Sequence, residues 1–506
     1  MLNRNVEPHS LSGDARRTEY AAGGKMRRRS RVTMMSLLPL LAGCGGARHA
    51  VRSDDVPAPL DPEMVRLSNV HVDVRGHWIP DDVFGGSLYV ITAAPTRAAA
   101  SAKAPPLFLV HGLGEAGVRD FYPIIGALAQ RRPVVAFDLP GFGRSGRANA
   151  RYTPDRYAAV LSRVIDRYAP DGPVDVVGHS MGGAIALLHA AVYPRQVRRL
   201  VLVDAAGILQ REALVGHHVR RATDPTGLFM PGLAAWALGV AAAAIDETRK
   251  LDPAPALIME IGLLRQQVLR GDPGAIAALG LILHNFGPEI AQVQAPTAII
   301  WGADDVVAPL RTAQLLVDRL AQAHLTVLDG VGHNPMTDAP GRLLVPLERH
   351  LSGPDDPSAA VLAAPLTPRA EGTCHGKADV VFAEGVYDSI VLEDCARVTL
   401  DRVRVGRLQL RHSSARAVHT VVGAGVVAQG SELFMTGGAV SAGTTGDVAL
   451  DLDDSRLDLA GVAIETTGRP YRLEHGSRVL FSVCPLRTPA GVEHLQGFYG
   501  GAAAAP

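Results

Sequence analysis

The sequence predicts two folded parts: an α/β domain built on a mostly parallel sheet, and an all-β C-terminal domain with a parallel β-helix-like cadence. Three observations carry that reading. Over residues 64–351, short β-branched runs alternate with helical stretches, as they do when parallel strands are joined by helical crossovers. A Pro/Ala/Ser-rich segment, residues 352–373, then interrupts the pattern, as linkers do. Over residues 374–500 the helical patterns fade and short β runs follow one another closely, separated by turn residues. Composition agrees with two domains, because 506 residues with 47% hydrophobic content exceed one compact unit. Fifty Lys plus Arg balance fifty Asp plus Glu, which removes the basic footprint of a nucleic-acid binder. Only 5% of residues are aromatic, too few for base- or sugar-stacking platforms, so a small molecule is the expected partner.

Residues 1–43 read as a leader and signal, and residues 44–63 as a tether. Met26-Arg-Arg-Arg-Ser-Arg31 is basic, residues 32–41 are apolar but too short to span a bilayer, and Leu41-Ala-Gly-Cys44 follows. The arrangement resembles a bacterial lipoprotein signal peptide, which implies cleavage before Cys44, lipidation of its thiol, and an exported protein anchored to a membrane and facing the periplasm or cell surface. An ordinary secretory signal or a short anchor is the alternative. The polar residues 1–25 lie upstream, so Met26 is a second candidate start. With Cys44 lipidated, Cys374, Cys395 and Cys484 leave one disulfide and one thiol in an oxidising compartment, the pairing open. No Cys/His spacing suggests a metal, and no cofactor is expected.

Strands are expected at residues 67–75 and 87–92, in an antiparallel start, and then at Leu107–Val110, Val134–Phe137, 174–177, 200–203, 298–301 and 325–328. Helices are expected at 157–168, 182–193 and 310–320. Residues 207–287 contain no β run and are Ala/Leu-rich, punctuated by Pro231, Pro253 and Pro273. They read as a helical cap inserted over the sheet; a membrane-associated hairpin is the other reading, but its most apolar part, residues 232–245, is too short to span.

In the C-terminal domain, β runs are expected at 380–382, 390–392, 397–405, 408–410, 426–428, 448–452, 457–459 and 479–483. The cadence of residues 389–405 is similar to parallel β-helix rungs, with a β-sandwich as the alternative. Asp451, Asp453, Asp454 and Asp458 cluster, which reads as solvated turns rather than a calcium or catalytic site. A glycan or protein partner would belong to this domain.

Chemistry concentrates at Gly178-His-Ser-Met-Gly182. A β run precedes this G-x-S-x-G and a small-residue helix follows, the context in which such a serine stands exposed on a sharp strand-to-helix turn. A serine hydroxyl is inert at neutral pH unless a base takes its proton. His333, in a Gly-flanked loop after the last strand run, occupies the place for that base. The acid that orients it should end the preceding strand, where Trp301-Gly-Ala-Asp-Asp305 offers two neighbours. Asp304 and Asp305 both stay open on position alone, with the strand-end Asp204 as a further candidate; the choice of Asp305 rests on the pattern Gly302-x-x-Asp305-x-x-x-Pro309, which matches the family resemblance that follows.

With His111-Gly-Leu-Gly114 and Asp138-Leu-Pro-Gly-Phe-Gly-Arg-Ser145, these motifs resemble the α/β-hydrolase-fold enzymes across residues 64–351. The resemblance implies an α/β-hydrolase fold with a helical cap, Ser180 as nucleophile, His333 as general base and acid, and Asp305 as its orienting acid. It further implies an oxyanion hole from the backbone N–H groups of Leu113 and Met181, with His111, His179 and the 138–145 turn in shaping roles. A serine nucleophile argues against the dehalogenases and epoxide hydrolases of the fold, which use aspartate. Esterases, lipases, thioesterases, C–C bond hydrolases, haloperoxidase-like enzymes and iminopeptidases remain. His111-Gly-Leu-Gly-Glu-Ala-Gly117 is reminiscent of the C–C hydrolases but lacks the proline many carry there. An apolar cap and export favour hydrolysis of a carboxylic ester of an apolar or acyl substrate, through an acyl-serine. A reading of another class makes the chain a non-catalytic envelope binding protein on the same scaffold.

Overall fold

The computed structural model describes residues 55–68, 71–96, 104–209, 254–353, 367–443 and 448–500. Cys44, the leader and residues 210–253 of the expected cap lie outside the described residues.

Nine strands form the first sheet, in the order β1-β2-β3-β5-β4-β6-β7-β8-β9. β1 (Val56–Ala58), β2 (Val72–Pro80) and β3 (Ser87–Pro95) are antiparallel, and β3 joins β5 (Val134–Phe137) antiparallel. From there every pairing is parallel, through β4 (Leu107–Val110), β6 (Val174–His179), β7 (Val197–Val203), β8 (Thr297–Gly302) and β9 (Ala323–Leu328). The strands β4, β5, β6 and β8 are buried at every position, which is why they read as continuous apolar runs instead of alternating ones. Successive residues feed opposite faces: Phe108, Val135, Val176 and Ile299 pack with α3 (Pro154–Tyr168) and α4 (Met181–Val192). Leu109, Ala136, Val177 and Ile300 pack instead with the helices Tyr122–Ala129 and Pro340–Ser352.

The start of the sheet differs from expectation. Residues 56–58, placed in the tether, form β1, and Leu67, expected to open a strand, closes the helix Pro62–Leu67. Pro62 has its φ preset for a first helical turn and needs no N–H partner there, and Met64 is buried beneath it, so the strand begins only at Val72. Asp175 is the one acid within β6; it is fully buried and accepts from Arg132 Nη1 at 2.8 Å and Arg198 Nη2 at 2.6 Å.

Within the segment expected as a cap, the described residues form the helices Ala254–Glu260, Gly262–Val268 and Pro273–Leu283, and the helix Gly287–Ile290 follows them. Asp272 caps the third, its Oδ1 accepting from the Ala275 N–H at 2.7 Å.

The C-terminal part is β-rich, a sixteen-stranded sheet whose pairings are parallel except for the last strand, Gly491–Gly500. Its first strand, Thr367–His375, begins inside the segment read as linker and pairs with Gly385–Glu393. The single β run expected at 397–405 is two strands, Val398–Asp401 and Arg404–Arg411, because the chain turns at Arg402, whose φ is +50°. Left-handed corners recur at Glu384, Arg402, His419, Gly437, Gly461 and Val483. A buried serine ladder runs beside them. The N–H groups of Cys395, Ser413, Ser431 and Ser455 donate to the Oγ of Ser413, Ser431, Ser455 and Ser477, at 2.9 to 3.1 Å. Partners along this ladder are 18, 18, 24 and 22 residues apart. Outside, acids and arginines pair at similar intervals, as in Asp379–Arg397 and Glu465–Arg487. Three of the four acids in the expected cluster are paired, Asp451 with Arg472, Asp453 with His475 and Asp458 with Arg311. No metal-holding group of side chains occurs among the described residues. The disulfide joins Cys374 to Cys395, and Cys484 is a buried free thiol whose pKa burial pushes up to about 12.

Candidate active site

Ser180 sits between β6 and α4 with φ +53° and ψ −123°, a conformation that L-residues rarely adopt. Three glycines permit it. A side chain on Gly178 would strike the Gly182 carbonyl, one on Gly182 the Val110 carbonyl, and one on Gly183 would press into Ala205. The strained residue is held from both sides: its N–H donates to Val203 O at 3.0 Å, and its carbonyl accepts from Gly183 and Ala206.

His333 enters from the loop after β9. Its Nε2 lies 3.0 Å from Ser180 Oγ and its Nδ1 2.8 Å from Asp305 Oδ2. The other oxygen of Asp305 accepts the N–H groups of Val307 and Ala308 at 2.7 and 2.9 Å. The buried Trp301 indole donates to Ala308 O at 2.9 Å and closes the same turn. Asp305 is 2% exposed and Ser180 6%, so the chain of hydrogen bonds runs from a dry carboxylate outward to a hydroxyl at the end of the sheet. Of the fallback acids, Asp304 makes no bond to His333, whereas Asp204 lies behind Asp305. Asp204 is fully buried, its Oδ1 accepts from the Gly302 N–H at 2.8 Å, and burial, reinforced by the Asp305 charge, raises its pKa well above the usual carboxylate range. Its hydrogen bond to Gly302 fastens the start of the turn that carries Asp305.

The two neighbouring histidines hold loops. Nε2 of His111 accepts from the Leu139 N–H at 2.8 Å, so the proton sits on Nδ1, which donates to Gly112 O at 2.7 Å. His179 Nε2 donates to the His333 carbonyl at 2.7 Å, and burial depresses its pKa to about 3. Gly112 passes directly beside the nucleophile, since a Cβ there would lie 2.8 Å from Ser180 Cβ; Leu113 follows it on this loop, and Met181 opens α4 on the other side. The 138–145 turn braces the same loop: Asp138 accepts the N–H groups of Val118 and Arg144 at 2.7 and 2.8 Å. Gly117, with φ +58°, is required where the loop meets the Asp138 carboxylate. Sequence reading missed Asp120, in the short helix Gly117–Phe121 that follows this loop; its carboxyl pKa is raised by burial.

This fold and this clustering define a class. A family model described as Alpha/beta hydrolase family matches residues 107–347. An uncharacterized protein of Mycobacterium tuberculosis is 30% identical over 298 residues, which span 55% of this chain and 85% of that protein. The chain therefore belongs to the alpha/beta hydrolase family. Other relatives are a 2-hydroxy-6-oxo-6-(2'-aminophenyl)hexa-2,4-dienoic acid hydrolase of Metapseudomonas resinovorans and Lipase 1 of Psychrobacter immobilis. The first is 29% identical over 265 residues, 48% of this chain and 83% of that one. The second is 28% identical over 251 residues, 46% of this chain and 73% of that one.

Proposed function

We propose that the protein hydrolyses a carboxylic ester of an apolar or acyl substrate through an acyl-Ser180 intermediate. The observation that carries this reading is the continuous hydrogen-bond chain Asp305–His333–Ser180. In the proposed reaction His333 Nε2 takes the Ser180 proton as Oγ adds to the ester carbonyl. The resulting imidazolium, stabilised by Asp305, then protonates the departing alcohol. Water, activated by the same imidazole, releases the acid and restores the serine. The N–H groups of Leu113 and Met181 are assigned to the developing oxyanion, each worth about 3 kcal/mol in such sites.

The apolar cap residues support an acyl substrate. A second reading, hydrolytic C–C cleavage of a ring-fission dienoate, uses the same three side chains and is supported by the Metapseudomonas relative. A panel of p-nitrophenyl esters of rising acyl length, run beside such a dienoate, separates them: turnover of esters only is expected, and turnover of the dienoate alone would replace the reaction class.

The anchor belongs to the same proposal. The lipobox Leu41-Ala-Gly-Cys44 supports an exported lipoprotein held at a membrane through Cys44, and the Cys374–Cys395 disulfide supports an oxidising compartment. Loss of membrane-fraction protein on Cys44→Ser is expected; unchanged fractionation would remove the anchor. The recurring 18- to 24-residue register supports reading the β domain as a parallel β-helix.

A further inference from the structure

A cavity of about 850 Å³ lies away from Ser180, between the two folded parts. Neither part encloses it alone. The α/β side contributes the Gly287–Ile290 helix and the end of helix Leu310–Arg319, and the β side contributes Val421, Ala463 and Val483. The volume falls within the range of small-molecule sites.

Two arginines, Arg319 and Arg487, and two histidines, His419 and His494, the latter disfavoured in its charged form by burial, line it beside one carboxylate, Asp318. That carboxylate is already used: one oxygen meets His419 Nδ1 at 2.8 Å and the other accepts the Gly438 N–H at 2.9 Å. Arg487 shares the rim carboxylate of Glu465 at 2.9 Å. Arg319 has no carboxylate within ion-pairing distance among the described residues; one of its nitrogens reaches Gly438 O at 3.4 Å, and its buried Nε has no partner. The buried Nδ1 of His494 is likewise unpartnered; burial lowers the pKa of this imidazole, and the Glu289 charge works against that. Burial makes the charged form of Arg319 costly, and Arg487 adds to that cost while Asp318 relieves part of it. An uncompensated cation in a partly dry cleft is expensive, and an anion seated there offsets that cost. Around it the walls are apolar, from Ile290, Val421 and Val483.

We propose that this cleft binds a singly charged organic anion with a short apolar body, its carboxylate on Arg319 and Arg487 and its chain against Ile290, Val421 and Val483. Such a ligand bridges both parts of the molecule, so it stabilises the chain by mass action without touching Ser180.

The test is the thermal midpoint of the full chain titrated with octanoate, octanol and inorganic phosphate. It is run on the wild type, Arg319→Met and Arg487→Met; the last residue is half exposed and its exchange leaves the core intact. The expected result is a saturable rise with octanoate only, with the half-effect concentration at least tenfold higher in Arg319→Met and several-fold higher in Arg487→Met. Equal octanoate responses in all three proteins, or none in the wild type, would overturn the site. Octanol or phosphate acting as well as octanoate would overturn the ligand class.

Discussion

At the residue scale, the account turns on which of two buried acids serves His333. Asp305 is bonded to the imidazole, while Asp204, whose pKa burial raises, lies behind it. Asp305→Asn should therefore lower kcat by about 10⁴-fold, the cost of a wrongly held imidazole in such triads. Asp204→Asn keeps an acceptor for the Gly302 N–H and makes no bond to His333, so kcat at neutral pH should stay within about tenfold. Steady-state rates of the two variants decide it, and the reverse ranking would move the triad acid to Asp204. Ser180, Asp305 and His333 could be singled out in the sequence because each follows a strand run, with Gly178 and Gly182, Gly302, and Gly332 close by. The burial of Asp120 and Asp204 was not legible there, because it is produced by distant segments. The choice of Cys374 and Cys395 was likewise hidden, since it depends on which strands pair.

At the element scale, the helix Leu310–Arg319 begins just beyond the Asp305 turn and is pinned to the β domain. Arg311 donates to Thr436 Oγ1, Met435 O and Asp458 O at 2.8 to 2.9 Å and pairs with Asp458 Oδ2 at 2.9 Å. Removing the cation leaves a largely buried carboxylate alone, so Arg311→Met should cost about 3 kcal/mol. A urea midpoint unchanged from the wild type would show that the two parts are not energetically joined there. The serine ladder makes a second prediction. Ser431→Ala strands the buried Ser413 N–H and should cost roughly 1–3 kcal/mol, again read from the urea midpoint, whereas a neutral effect would mean that water replaces the hydroxyl. The central strands were readable as unbroken apolar runs. The C-terminal strands were read only in part, because some are only two or three residues long, and left-handed corners at Arg402 or Val483 carry no glycine to announce them.

At the scale of the whole molecule, three buried histidines set the acid limit of stability. Burial lowers His179 to about 3 and His189 and His350 to about 4. Each binds fewer protons folded than unfolded, so its stabilising contribution is present above the unfolded value near 6.5 and is lost as pH falls toward 4. For His189, fully buried against Ala158 O, the loss is about 3 kcal/mol. His189→Leu should flatten the decline of the thermal midpoint between pH 6.5 and 4, and an unaltered slope would contradict the assignment. The raised Asp204 works in the opposite sense, its contribution being lost as pH rises. The change from an α/β pattern to short β runs was legible in the sequence; the contact between these parts was not, because it rests on Arg311 and Asp318 meeting residues more than a hundred positions away. The central claim, that Ser180 is an activated nucleophile, is tested most directly by fluorophosphonate labelling followed by mapping of the adduct. The expected result is one adduct on Ser180 in the wild type, and none in Ser180→Ala or His333→Ala. Equal labelling of Ser180→Ala, or an adduct on another residue, would contradict it.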